Sequence, residues 1–251
     1  MARRKLSDVT HPDLTLVDSH WLSYGLDPQP PMRLKILYVT FDEVAKSGPS
    51  SFQVASVCDR LGITYPMVNH YFGGRDGLVA EAASMVYLRH IDALWRAVEG
   101  APRNPADRLK AWMLADIEET SAIGGWGAIL NYPLSAREVS RLLAEKFGAL
   151  MSRGFELNWA RLGQLVKDVR KGSVTEVSFT LDNYPRSDTV ADPDVERYAP
   201  TIAWATYGVS SFLAGRHLAS AGIPEVAART PAVILRHVDL LIDMMTRDRK
   251  N

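Results

Sequence analysis

From Arg33 to Lys46 the apolar residues Leu34, Leu37, Tyr38, Phe41, Val44 and Ala45 recur at i, i+3, i+4, i+7 spacing. This predicts an amphipathic helix, stopped by Ser47, Gly48 and Pro49. The next run, Phe52 to Leu78, reads as a short helix carrying Val54, Val57 and Cys58, a turn at Gly62, and a second helix opened by Thr64 with Pro66 in its first turn. Glycine supplies the tight turn, threonine a cap, and proline is tolerated where the helix has no amide to lose. Three helices bury what two cannot, and Phe41, Val54, Leu61, Ile63, Val68 and Phe72 are the expected core.

The pattern stays helical beyond this head. A long helix is expected from Leu78 to Val98 through Ala82, Val86, Leu94 and Trp95, ended by Gly100, Pro102 and Pro105. Others follow at Asp107 to Ile123, around Trp126 to Asn131, and from Ala136 to about Lys171, where Gly148, Gly154 and Gly163 each offer a break. Residues 172–198 differ in kind. Val177, Phe179 and Leu181 alternate with Ser178 and Thr180, which fits either an extended flap or an irregular loop pinned by Phe179 and Tyr184. Two more helices are expected over Ala199 to Ala221 and Pro231 to Arg247. The last has two apolar lines, Ile234, Val238, Leu241, Met245 and Val233, His237, Leu240, Met244. One subunit does not cover both, and small residues Gly208, Ser211 and Gly215 below Trp204 admit a close neighbour, so the pair predicts a four-helix bundle with a second copy. The fold class is therefore all-α, with an N-terminal arm over 1–31, a helix-turn-helix domain over 32–78 and an effector-binding and dimerisation domain over 79–251.

Composition narrows this only a little. In 251 residues, 29 basic and 29 acidic side chains cancel, so any attraction to nucleic acid comes from a local surface. The single cysteine, Cys58, excludes an intrachain disulfide and a thiolate zinc cluster and fits a reducing compartment. No run is apolar enough for a membrane span or a secretory signal, so a cytoplasmic location is expected. The arm begins with Arg3, Arg4 and Lys5, which could reach a minor groove or phosphates, but a frayed tail is the favoured reading.

The segment Arg33 to Leu78 resembles the head of the tetracycline-repressor (TetR) family of bacterial transcriptional regulators. Gly62, Ile63 and Thr64 stand at the family's Gly-Val-Ser turn, and Tyr71, Phe72, Arg75, Asp76 and Leu78 at its Tyr-Phe followed by Lys-Glu-x-Leu. Beyond Leu78 the resemblance rests on length, helical character and the terminal helix pair. It departs at Asn69, where the family commonly has a phosphate-binding tyrosine; an amide bonds phosphate or adenine instead. The resemblance implies a dimeric repressor on a palindromic operator, two recognition helices about 34 to 36 Å apart, released by an effector that binds the other conformation more tightly.

In that setting Thr64 caps the recognition helix and donates to phosphate, while Tyr65, Met67 and His70 face base edges. Arg75, with the free amides beside it, is expected to hold a phosphate, with Tyr71, Arg33 and Lys35 as further backbone contacts. The apolar walls for an aromatic or otherwise apolar effector are expected from Trp112, Trp126, Met151, Phe155 and Trp159. No cofactor or metal is expected. No catalytic elbow, zinc helix or phosphate loop is found, so no enzyme is expected. The alternative is a helical ligand- or protein-binding module that keeps the head without reading DNA.

Overall fold

Among the described residues the chain forms helices where apolar spacing predicts them, with ends set by glycines and by side-chain caps. A computed structural model describes residues 31–122, 137–185, 192–218 and 224–247. The arm up to residue 30, the short helix expected around Trp126 to Asn131, and the segments 186–191, 219–223 and 248–251 lie outside the described residues. The described helices are α1 (Met32–Ser51), α2 (Val54–Leu61), α3 (Tyr65–Phe72), α4 (Arg75–Gly100), α5 (Pro105–Ala122), α6 (Arg137–Lys171), α7 (Pro193–Leu218) and α8 (Pro224–Arg247). None of them is long and apolar enough to cross a membrane.

Local chemistry explains the ends. The expected stop after Lys46 is present as a break within α1, where Gly48 leaves helical geometry at φ 74° and ψ 163°. Asn104 caps α5, its side-chain oxygen accepting from the amides of Ala106 at 2.9 Å and Asp107 at 3.3 Å. Asp192 does the same for α7. The expectation that glycine breaks α6 is corrected: the helix is continuous over 35 residues. Gly154 sits there because its neighbours leave no room. A Cβ on it would lie 3.0 to 3.2 Å from Leu88, Ile91 and Tyr87. Gly163 likewise faces Val195 at 3.2 Å.

The described residues divide into two compact units, one of 31–86 and 137–148, the other of 87–122, 149–185, 192–218 and 224–247. In the first, Ile36, Leu37, Phe41, Val44, Phe52, Val54, Val57, Leu61, Val68 and Phe72 form one core with Leu78, Val79, Ala82 and Val86 of α4. Ile63 packs against it partly buried. Val139 joins from α6, with Leu142 and Leu143 beside it, so three helices alone do not complete this core.

In the second unit α5 packs chiefly on α7, with α8 against both. Its core holds Leu94, Trp95, Leu109, Trp112, Met113, Leu162, Leu165, Val166, Ile202, Val238 and Met245. Over 172–185 the segment after α6 takes the irregular form, while α7 already begins at Pro193, ahead of the expected Ala199. Thr180 and Asn183 make an isolated bridge, Arg161 donates to the Phe179 carbonyl at 2.7 Å, and the Tyr184 hydroxyl to Glu156 at 2.7 Å. On α8 the line Val238, Leu241 and Met245 is buried, whereas Leu235, Leu240 and Met244 are exposed, as are Trp204 and Tyr207 on α7.

Candidate nucleic-acid interface

The turn between α2 and α3 is built on Gly62, at φ 64° and ψ 30°, with its amide and that of Ile63 both bonded to the Cys58 carbonyl. This left-handed residue is inexpensive only for glycine. Thr64 then occupies the N-cap with extended geometry, but its hydroxyl makes no cap bond, contrary to the expected capping. The hydroxyl is left for another partner. α3 closes at Gly73, φ 73°, whose amide bonds the Asn69 carbonyl at 2.8 Å.

Only Val68 and Phe72 of α3 are buried. They stand four residues apart on the core side, so Pro66, Met67 and His70 point the opposite way, with Tyr65 and Asn69 on one shoulder and Thr64 and Tyr71 on the other. All seven are exposed, Tyr65 at 51% and Met67 at 38%. His70 meets Tyr71 edge-on at 5.4 Å. The oxygens Tyr65 Oη and Asn69 Oδ1 each lie 3.6 Å from where a Cβ on Gly74 would begin, so both lean to the start of α4.

The arginines of the head, Arg33, Arg60 and Arg75, have internal partners. Arg75 donates from Nε to the Phe52 carbonyl at 3.3 Å, from Nη2 to the Pro49 carbonyl, and pairs with Asp76 at 2.6 Å, its guanidinium 5.8 Å over the Phe52 ring. The guanidinium expected to hold a phosphate thus also clasps the α1–α2 turn to the start of α4. Arg33 pairs with Glu81 at 2.5 Å and lies 5.2 Å over the Phe72 ring. Lys35 is half-buried and has no ion pair among the described residues. Asp42, 5% exposed, receives Lys46 at 2.7 Å and Arg60, which also meets Glu43 at 2.7 Å. Burial, and then the charge of Asp59, push the Cys58 thiol above its ordinary pKa, consistent with a core role.

Two features escaped the sequence reading. Gln53, at the N-cap of α2, is exposed with no side-chain cap bond, and it lies eleven residues ahead of Thr64, outside the helix whose pattern marks the candidate surface. Gly77 is held by close approach: a Cβ there would stand 2.0 Å from the Phe72 carbonyl oxygen. The family motif leaves that position open, so no pattern marks it.

The effector candidates separate. Trp112 is core, its indole donating to Asn158 at 3.3 Å. Met151 is half-buried, whereas Phe155 is exposed and stacks on Trp159 at 6.0 Å and 18°. Trp126 lies outside the described residues. A cleft of about 250 Å³ in the first unit is lined by Ser50, Arg75, Asp76, Arg137 and Glu138 among others. Four charged side chains do not suit an apolar molecule.

Comparison with known proteins agrees with the geometry. No family model matches the chain. The HTH-type transcriptional regulator BetI of Stenotrophomonas maltophilia (strain R551-3) is 26% identical over 117 residues, covering 43% of this chain and 60% of that one. BetI of Burkholderia cenocepacia (strain HI2424) is 33% identical over 89 residues, 35% of this chain and 45% of the relative. The chain thus spans about half the length of these relatives, which are TetR-family members. A crystal structure of a proposed transcriptional regulator from Pseudomonas aeruginosa PAO1 superposes with a TM-score of 0.50 at 18% identity, covering 86% of this chain and 92% of that one. The chain is thus similar in part to helix-turn-helix transcriptional regulators of the TetR family, and its described residues have an all-α fold.

Proposed function

We propose that this chain is a DNA-binding transcriptional regulator that works as a homodimeric repressor, each copy laying α3 in a major groove of a palindromic operator. The observation that carries this is α3 itself: eight residues anchored by Val68 and Phe72 alone, with every other side chain turned outward. A helix so short has no stability of its own, and a core that spends two anchors to present six exposed residues fits a reading surface. Thr64, Tyr65, Met67, Asn69, His70 and Tyr71 are the contacts proposed, with Lys35 beside them on phosphate.

Dimerisation is supported by the exposed apolar residues of α7 and α8. Trp204 is 73% exposed and Leu240 63%, with Tyr207, Leu235 and Met244 near them in sequence register. A monomer gains nothing from leaving such groups in water, and a second copy covers them at about 25 cal/mol per Å². For the effector, Met151, Phe155 and Trp159 follow one another at four-residue spacing on α6, an apolar and aromatic strip suited to a flat apolar molecule.

The test is enrichment of genomic fragments on the full-length protein, followed by sequencing. Palindromes with half-sites one helical turn apart, about 10 to 10.5 base pairs centre to centre, are expected. Fragments recovered without any shared element would rule out sequence-specific reading.

A further inference from the structure

We infer that the recognition surface reads A·T rather than G·C base pairs at the core of each half-site, with Asn69 selecting an adenine. This rests on the DNA-reading role proposed above and goes further, because it names which bases the surface accepts.

The sequence Tyr65–Phe72 contains no lysine, arginine, aspartate or glutamate. Guanine is most often specified by a bidentate arginine or lysine on its O6 and N7, and cytosine by a carboxylate accepting from its N4 amine. α3 carries neither kind of group. The arginines that could reach in from elsewhere in the described head are engaged: Arg33 with Glu81, Arg60 with Asp42 and Glu43, and Arg75 with two backbone carbonyls and Asp76.

What α3 does offer suits adenine and thymine. The carboxamide of Asn69 is exposed and makes no hydrogen bond among the described residues, so its oxygen can accept from adenine N6 while its NH2 donates to N7. Gly74 is buried under this shoulder, and Tyr65 Oη and Asn69 Oδ1 each lie 3.6 Å from where its Cβ would stand, so both polar groups share the end of α3 that meets the start of α4. Met67, on the outermost line of the helix, presents a flexible apolar thioether, and the Tyr65 ring an apolar edge; both match the thymine C5-methyl. His70, also outermost, is a single ring donor for purine N7, an acceptor that guanine and adenine share, so it does not reverse the preference.

Selection of bound duplexes from a randomised library by the full-length chain tests this. Half-sites dominated by A·T pairs are expected, with one adenine preferred on the order of tenfold to a hundredfold. That preference should vanish in Asn69→Ala and turn to guanine in Asn69→Arg, while Met67→Ala weakens selection for thymine at a different position. Asn69 and Met67 are exposed, and thermal melts matching the parent's will show that the variants fold. A parent half-site centred on G·C pairs, or an adenine preference unmoved by Asn69→Ala, overturns the inference and leaves DNA reading intact. A library from which nothing is enriched overturns both.

Discussion

At Gly77 a single hydrogen in place of a methyl group decides whether α4 can start where it does. The Phe72 carbonyl belongs to the backbone of α3 and cannot swing aside like a side chain, so Gly77→Ala should lose about 3 kcal/mol or more, read from urea unfolding of the full chain. Arg60 is a different kind of support. Its removal leaves the buried Asp42 carboxylate with only the exposed Lys46 ammonium, and Glu43 without its guanidinium. A fully buried pair broken in this way costs about 3 to 5 kcal/mol; with Arg60 itself 23% exposed and Lys46 still present, Arg60→Ala should cost about 2 kcal/mol in the same measurement. Tyr87 gives a pH signature. Burial pushes its phenol from 10.0 up to about 12, so the folded state holds the proton more tightly than the unfolded chain. The stability this supplies is complete below pH 10 and is lost as pH rises through about 12. Denaturant midpoints followed from pH 9 to 12 should therefore fall less steeply in Tyr87→Phe than in the parent.

Among the helices, α6 separates two meanings of glycine. A Cβ on Gly154 meets Leu88, Ile91 and Tyr87 at 3.0 to 3.2 Å, whereas one on Gly148 meets nothing within 4 Å. Both are helix-interior positions, where glycine is worth about 1 kcal/mol less than alanine. Gly148→Ala should therefore stabilise the protein by up to about 1 kcal/mol. Gly154→Ala should destabilise it by about 1 to 3 kcal/mol, because a crowded side-chain cluster must shift. Equal thermal shifts for the two variants would show that packing around Gly154 is looser than the geometry indicates. The same contrast explains why helix-breaking propensity misreads this segment: a glycine chosen for close approach lies inside a helix whose packing holds it there.

For the molecule as a whole, the exposed line on α8 is the feature that asks for a second copy. Leu240→Asp places a charge at the centre of that line without touching the buried Val238, Leu241 or Met245. Sedimentation should show a shift from dimer to monomer with the helical content kept, and operator affinity should fall by at least tenfold, since one head then binds without its partner. A dimer that survives Leu240→Asp would move the interface elsewhere.

Much of this architecture was legible in the chain. Helical periodicity placed the head, the positive-φ glycine at position 62 followed from its place between two apolar runs, and the outward face of α3 followed once Val68 and Phe72 were given to the core. Those features depend on local backbone preference and on which side of a helix is apolar, and both are written in neighbouring residues. Other features were not legible because they depend on groups far apart in sequence. Nothing near Arg75 announces that its guanidinium will turn to the carbonyls of Pro49 and Phe52. Nor does anything near Thr64 show that its hydroxyl will leave the helix uncapped, or that Val139 will help complete the core of the head. The exposed face of α3 and its lack of charge are written in eight consecutive residues, whereas the engagement of Arg33, Arg60 and Arg75 by internal partners was decided only by the tertiary structure, because electrostatic partnership depends on distance in space and not on order along the chain.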